Sequence, residues 1–95
     1  MLEFVATRSI ARRVPLVVNA PGAVDVRVTG DFSSWNEKGV RLSHDGGGRW
    51  RTVLSLEPGE YQYRLLIDGA WQEHGDADLR VENPFGSKNC ILSVL

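Results

Sequence analysis

The sequence predicts an all-β chain, an antiparallel β-sandwich of immunoglobulin-like type with seven to eight short strands. Three observations carry this. Apolar residues alternate with polar ones at period two along several short runs, the signature of half-buried strands. Turn signals, such as Ala20-Pro21-Gly22-Ala23, Glu57-Pro58-Gly59-Glu60 and Asp68-Gly69, punctuate the runs at near-regular spacing. No stretch of ten or more residues keeps the 3.6-residue period of an amphipathic helix.

Taken in order, residues 1–13 show no clean period and read as an N-terminal tail or docking segment, with the domain proper over 14–95. Pro15 to Asn19 is a short apolar run, and its proline suits an edge strand or a strand start. Val24, Val26 and Val28 alternate with Asp25, Arg27 and Thr29. The segment 30–36, GDFSSWN, is a loop of turn formers that nevertheless holds Phe32 and Trp35. Val40 and Leu42 mark a brief strand, and 43–48 reads as a hairpin loop ending in three glycines. Trp50, Thr52, Leu54 and Leu56 share one face of the next strand.

The chain is organised around residues 61–71, YQYRLLIDGAW. Tyr61, Tyr63, Leu65 and Ile67 form a core face, and Gln62, Arg64 and Leu66 the opposite one. Asp68-Gly69 is a tight-turn signal because both residues tolerate positive φ. The turn sends Trp71 back toward Arg64. A polar loop 72–78, a short strand 79–82, a turn 83–88 carrying Phe85, and a last strand 89–95 complete the chain.

Composition narrows the function. The chain has 95 residues, enough for one domain with a small core. A net charge of −1 gives no electrostatic reason to bind nucleic acid or an acidic membrane. No apolar run approaches the roughly 20 residues of a membrane span. The first residues lack a continuous apolar stretch and a clear cleavage site, so no signal peptide is expected. The single Cys90 forms no internal disulfide, fits a reducing, cytoplasmic setting, and is expected as a small buried strand residue. His44 and His74 lie far apart in sequence and form no metal-ligand spacing. Asp76 and Asp78 hint at calcium, but a full oxygen-ligand loop is absent. The carboxylates of Asp31, Glu37, Glu57, Glu60 and Glu73 have no context that raises a pKa. Neither an enzyme, a metal nor a cofactor is expected.

Several pieces in combination resemble a known family: 30–35 (GDFSSW), 48–50 (GRW), 58–64 (PGEYQYR), 68–71 (DGAW) and Asn89. Their order and spacing resemble a family 48 carbohydrate-binding module. These include the glycogen-binding domain of the AMP-activated kinase β subunit and the N-terminal domain of isoamylase and glycogen-branching enzymes. The resemblance covers about residues 14–95. It implies an early-set immunoglobulin-like sandwich that binds α-1,4-glucan without catalysis. It places Trp35 and Trp71 as the stacking tryptophans and Arg64 where kinase-type modules have a lysine. Phe85 stands where those have a leucine, Ser87 replaces a threonine, and Asn89 matches a sugar-binding asparagine. Arginine for lysine turns a point donor into a fork, and phenylalanine for leucine changes the shape of the residue that pokes through a ring of sugars.

The chemistry suits that expectation. A glucose ring has a face of C–H groups that packs on an indole and a rim of hydroxyls that needs donors and acceptors. One stack removing about 100 Å² of apolar surface gains on the order of 2–3 kcal/mol. Against this stand plainer roles. Trp71 and Trp35 could cover the sheet or anchor a loop. Trp50 and Phe32 read as core. Arg64 could be a solvated strand residue, Phe85 a cap on the sandwich end, and Asn89 and Ser87 partners of turn backbone. The rival function is an interaction module of the same fold, docking on a kinase-type or amylolytic enzyme.

Overall fold

A computed structural model describes residues 10–75, 77 and 79–95. Most of the 1–13 segment, and the Asp76/Asp78 calcium reading, lie outside the described residues. The described strands are β1 (Arg12–Asn19), β2 (Val26–Gly30), β3 (Val40–Arg41), β4 (Ser43–His44), β5 (Arg49–Leu56), β6 (Gly59–Ile67), β7 (Ala70–Gln72), β8 (Leu79–Glu82) and β9 (Lys88–Val94), with one 3₁₀ turn at Asp31–Ser33. They form two antiparallel sheets. One is ordered β1-β5-β4, and the other β3-β2-β6-β9-β8 with β7 also on β6.

The sheets face each other across one core. Leu16 and Val18 of β1 and Trp50, Leu54 and Leu56 of β5 meet Val26 and Val28 of β2, Tyr63 and Leu65 of β6, and Cys90 and Val94 of β9. Alternation predicted these faces, and Cys90 is fully buried on its strand as expected. Phe32 also packs against the core from its loop.

Differences from the sequence reading are local, and each has a cause. Arg12 and Arg13, read with the N-terminal segment, already pair with Leu56 and Ser55. The valine strand starts at Val26, because Val24 and Asp25 instead donate their backbone N–H groups to the Asp68 carboxylate at the β6–β7 turn. Ser43 and His44, read as loop, pair with Arg51 and Trp50, and the His44 ring stacks on Trp50 at 4.7 Å. These short pairings, with β7, bring the described strands to nine. Leu66, placed on the surface face, is buried, lying in register between Arg27 of β2 and Trp71 of β7.

The pairing of β6 along its two edges positions the candidate site. Its first edge pairs with β2 from Tyr63 to Ile67. Its second edge pairs with β9 from Gly59 to Tyr63 and with β7 from Leu65 to Ile67. Arg64 sits where that edge passes from one partner to the other.

Candidate functional site

Around Arg64 the fold gathers side chains from four separate segments. Trp35, Arg64, Trp71, Asn83, Pro84, Phe85 and Asn89 line one open cavity of about 520 Å³. Five of these seven are residues singled out from the sequence. The sixth residue so singled out, Ser87, lies behind the wall rather than in it.

Trp71 is delivered by the hairpin between β6 and β7. Asp68 and Gly69 both adopt positive φ, 52° and 83°, the conformation of a two-residue turn whose twist suits the flanking strands. In register, Trp71 faces Leu66. Trp71 is 41% exposed, and the Arg64 guanidinium carbon lies 5.9 Å from the centroid of its ring, the outer limit of a cation–π contact.

Trp35 is held by a strained loop. Ser34 and Trp35 both have positive φ, 53° and 55°, which costs a side-chain-bearing residue roughly 1–2 kcal/mol each and persists only where the surroundings impose it. Two residues do so. One Asp31 carboxylate oxygen accepts the Trp35 indole N–H at 3.0 Å, and the other accepts the Gln62 backbone N–H at 2.8 Å. Thr29, opposite Arg64 on β2, is fully buried and donates its hydroxyl to the Asn36 carbonyl at 2.7 Å. Gly30 permits this return of the chain. A Cβ there would lie 2.2 Å from the Gln62 carbonyl oxygen and 2.8 Å from the Tyr63 Cα, both backbone atoms that cannot step aside.

The third wall is the turn between β8 and β9. Phe85 stands at its tip, 91% exposed, an arrangement that costs apolar hydration unless something covers the ring. Asn83 ties the turn together, and its Oδ1 accepts the Phe85 backbone N–H at 2.9 Å. Ser87 Oγ accepts from Arg64 Nη1 at 3.1 Å and from Asn83 Nδ2 at 2.9 Å, so this hydroxyl serves to hold the guanidinium. Arg64 Nε has no hydrogen-bond partner among the described residues, so they leave part of the fork unsatisfied. Asn89 is buried at the cavity base between Asn83 and Gln62.

The sequence reading missed four residues. Asn83 and Pro84 passed as turn formers, although an Asn-Pro pair already marks a fixed turn. Asp31 passed as one carboxylate among many. His74 is buried and bridges the sheets, its Nδ1 2.8 Å from the Tyr63 hydroxyl and its Nε2 3.0 Å from the Val17 carbonyl. Its partner on β1 is 57 residues away, and no local pattern announces such a contact.

Among the described residues, no group of three or more His, Cys, Asp or Glu side chains could hold a metal ion, and no helix is long and apolar enough to cross a membrane. Among the described residues, Asp25 and Arg27 carry shifted pKa values, and both lie away from the cavity. The Arg27 hydrogen bond, with the charges of Arg27 and Arg41, holds the Asp25 carboxyl below its usual value despite partial desolvation, and Arg27 is raised in turn.

Similarity to known proteins identifies the family. Residues 14–95 match the family described as the glycogen recognition site of AMP-activated protein kinase. The chain is 32% identical over 73 residues to the 5'-AMP-activated protein kinase subunit beta-1 of Sus scrofa, covering 77% of this chain and 57% of that protein. It is 29% identical over 80 residues to a chloroplastic phosphoglucan phosphatase of Arabidopsis thaliana, covering 83% of this chain and 13% of that one. It is 31% identical over 83 residues to the chloroplastic protein FLOURY ENDOSPERM 6 of Oryza sativa subsp. japonica, covering 87% and 15%. The chain thus spans just over half of the first relative and a small part of the other two. With the family match running over nearly all of the described sandwich, this chain belongs to the AMP-activated protein kinase glycogen-recognition family of carbohydrate-binding modules.

Proposed function

We propose that the chain binds α-1,4-linked glucan in the cavity around Arg64 and does not cleave it. The observation that carries this is the convergence of Trp35, Trp71 and Phe85 with Arg64 and Asn89 on one open cavity from four segments of the chain. Sugar rings pack their C–H faces on the two indoles. The guanidinium and the Asn89 amide take the hydroxyl rim, and the Phe85 ring enters the curve of the glucan. The described lining residues include no carboxylate or imidazole, whereas glycoside hydrolysis needs a pair of carboxyl groups. Two stacks of on the order of 2–3 kcal/mol each and the hydrogen bonds of the hydroxyl rim together leave a modest surplus after the entropy of association, and the expected Kd is roughly micromolar to millimolar.

The test is titration with maltoheptaose and β-cyclodextrin, followed by tryptophan fluorescence, with cellohexaose as the control. A saturable response to the α-glucans alone is expected. A flat response to all three up to millimolar sugar overturns the reading.

A second reading has its own observation. The outer face of the three-stranded sheet exposes Val17 (38%) and Val53 (49%) beside Pro15, framed by Arg13, Arg49 and Arg51. An apolar strip among cations suits an acidic partner surface, such as one on a kinase-type or amylolytic enzyme. It lies on the other sheet from Arg64, so both functions are compatible. Alanine at both Trp35 and Trp71 separates them, abolishing glucan binding while leaving protein docking intact.

A further inference from the structure

We infer that Asn83 is a positioning residue that fixes the direction in which Asn89 offers its hydrogen bonds to a sugar; this rests on the glucan-binding reading above. An asparagine amide has one acceptor end and one donor end, and nothing in its shape decides which way it points. Here the choice is made by backbone. The N–H groups of Phe85 and Ser87 can only donate, and they reach one atom of Asn83 at 2.9 and 3.3 Å. That atom must be the oxygen. The other end of Asn83 is therefore a donor, and it faces Asn89 at 3.0 Å. Asn89 must turn its oxygen to Asn83, which leaves its nitrogen to donate to Gln62 Oε1 at 3.0 Å.

The polarity of three side-chain amides thus follows from two peptide groups of the β8–β9 turn. Asn89 is buried at the cavity base, and a flipped amide there would present a donor where an acceptor belongs. The same Asn83 amide nitrogen donates to Ser87 Oγ, which also accepts from Arg64 Nη1. One residue therefore orients both polar groups assigned to the sugar rim. Asn83 touches the cavity wall, but its effect on binding passes through Asn89 and Ser87.

The test is Asn83→Asp. The carboxylate still accepts the two backbone N–H groups, so the turn should hold, but its second oxygen cannot donate to Asn89. At pH 7 we expect an unchanged melting temperature within a few degrees and a maltoheptaose Kd weakened about tenfold, as for a mispaired buried donor. On acidification toward pH 4, near the ordinary aspartate pKa of about 3.9, the protonated acid regains an O–H donor. The Kd ratio of variant to wild type, both measured at each pH, should then fall back toward one. The side-chain amide resonances of Asn89 in sugar-free protein should also move in the variant.

A variant that binds as wild type at pH 7 overturns the inference. So does a loss that is independent of pH, which marks simple damage to the turn, and so does failure to fold, since the retained acceptor should preserve the turn. If wild type itself does not bind, the glucan reading falls separately. The Asn89 resonances then decide whether the amide lock exists, and unmoved resonances overturn it.

Discussion

Trp50 and Trp71 are the same residue put to opposite uses. Trp50 is 5% exposed, stacks on His44, and donates its indole N–H to the Ala20 carbonyl at 3.3 Å, so its large apolar body is covered and its polar handle is bonded. Trp71 is 41% exposed, stands on a three-residue strand, and has Arg64 at the edge of cation–π range. The first belongs to the core between the sheets, and the second offers a planar face to solvent. The difference teaches that in a small sandwich an aromatic residue's role follows from the strand face and edge that carry it. Trp50 lies on a long strand paired on both sides, and Trp71 on a short hairpin arm against one half of an edge.

The sharpest way to break that comparison is alanine at each position. Trp50→Ala leaves a cavity in the core and is expected to cost about 3–5 kcal/mol, a large share of the roughly 5–15 kcal/mol that holds a domain folded. Denaturant unfolding checks this, and maltoheptaose affinity of the fraction that remains folded should be unchanged. Trp71→Ala should do the reverse. Stability should stay within about 1 kcal/mol, while Kd weakens roughly 30- to 150-fold, the equivalent of one lost stack. Equal losses of stability in the two variants would mean that Trp71 is a structural cover.

Trp35 should fall between the two. Its indole N–H is bonded to Asp31, its backbone is left-handed, and its ring is half-buried and lines the cavity. Trp35→Ala is expected to lower stability by about 1–2 kcal/mol and affinity by about 30-fold, the low end of one lost stack. Thermal melts and the same sugar titration read both quantities. A variant that loses affinity with no loss of stability would place Trp35 beside Trp71 rather than between the pair.

How far the sequence could be read follows from the same contrast. Local periodicity is a property of neighbouring residues, so Val26 and Val28, the Trp50–Leu56 face, and Tyr63 with Leu65 were legible as core. Trp35 and Trp71 were legible as candidates because a large aromatic in a polar loop, or delivered past a tight turn beside Arg64, requires a reason, whereas Phe85 entered through the family resemblance. What stayed hidden depends on residues distant in sequence. Leu66 is buried because β2 and β7 flank it, which alternation along β6 alone cannot show. His74 finds the Val17 carbonyl only once both sheets exist. Asn83 reads as a turn former until the turn brings it against Asn89. Ser43 and His44 form a strand too short to carry a period.

The smallest effect is expected far from both tryptophans, at Asp25. Its carboxylate accepts from Arg27 Nε at 2.8 Å and lies 3.1 Å from Arg41 Nε, all at the surface. The Arg27 hydrogen bond and the two positive charges lower its folded pKa, so the folded state holds its proton less tightly than the unfolded chain. The stabilisation is therefore complete above the unfolded aspartate pKa and is lost as pH falls through the lowered folded value. Water and salt screen an exposed pair, so Asp25→Asn should lower the melting temperature at pH 7 by at most about 4 °C. The difference from wild type should vanish at pH values below the folded pKa and shrink at 1 M salt, where the Debye length is about 3 Å. Sugar affinity should not change, because Asp25 is not among the residues lining the cavity. A change in affinity without a change in melting temperature would instead tie this cluster to the site through Asp68, whose carboxylate holds the Val24 and Asp25 backbone at the turn preceding Trp71.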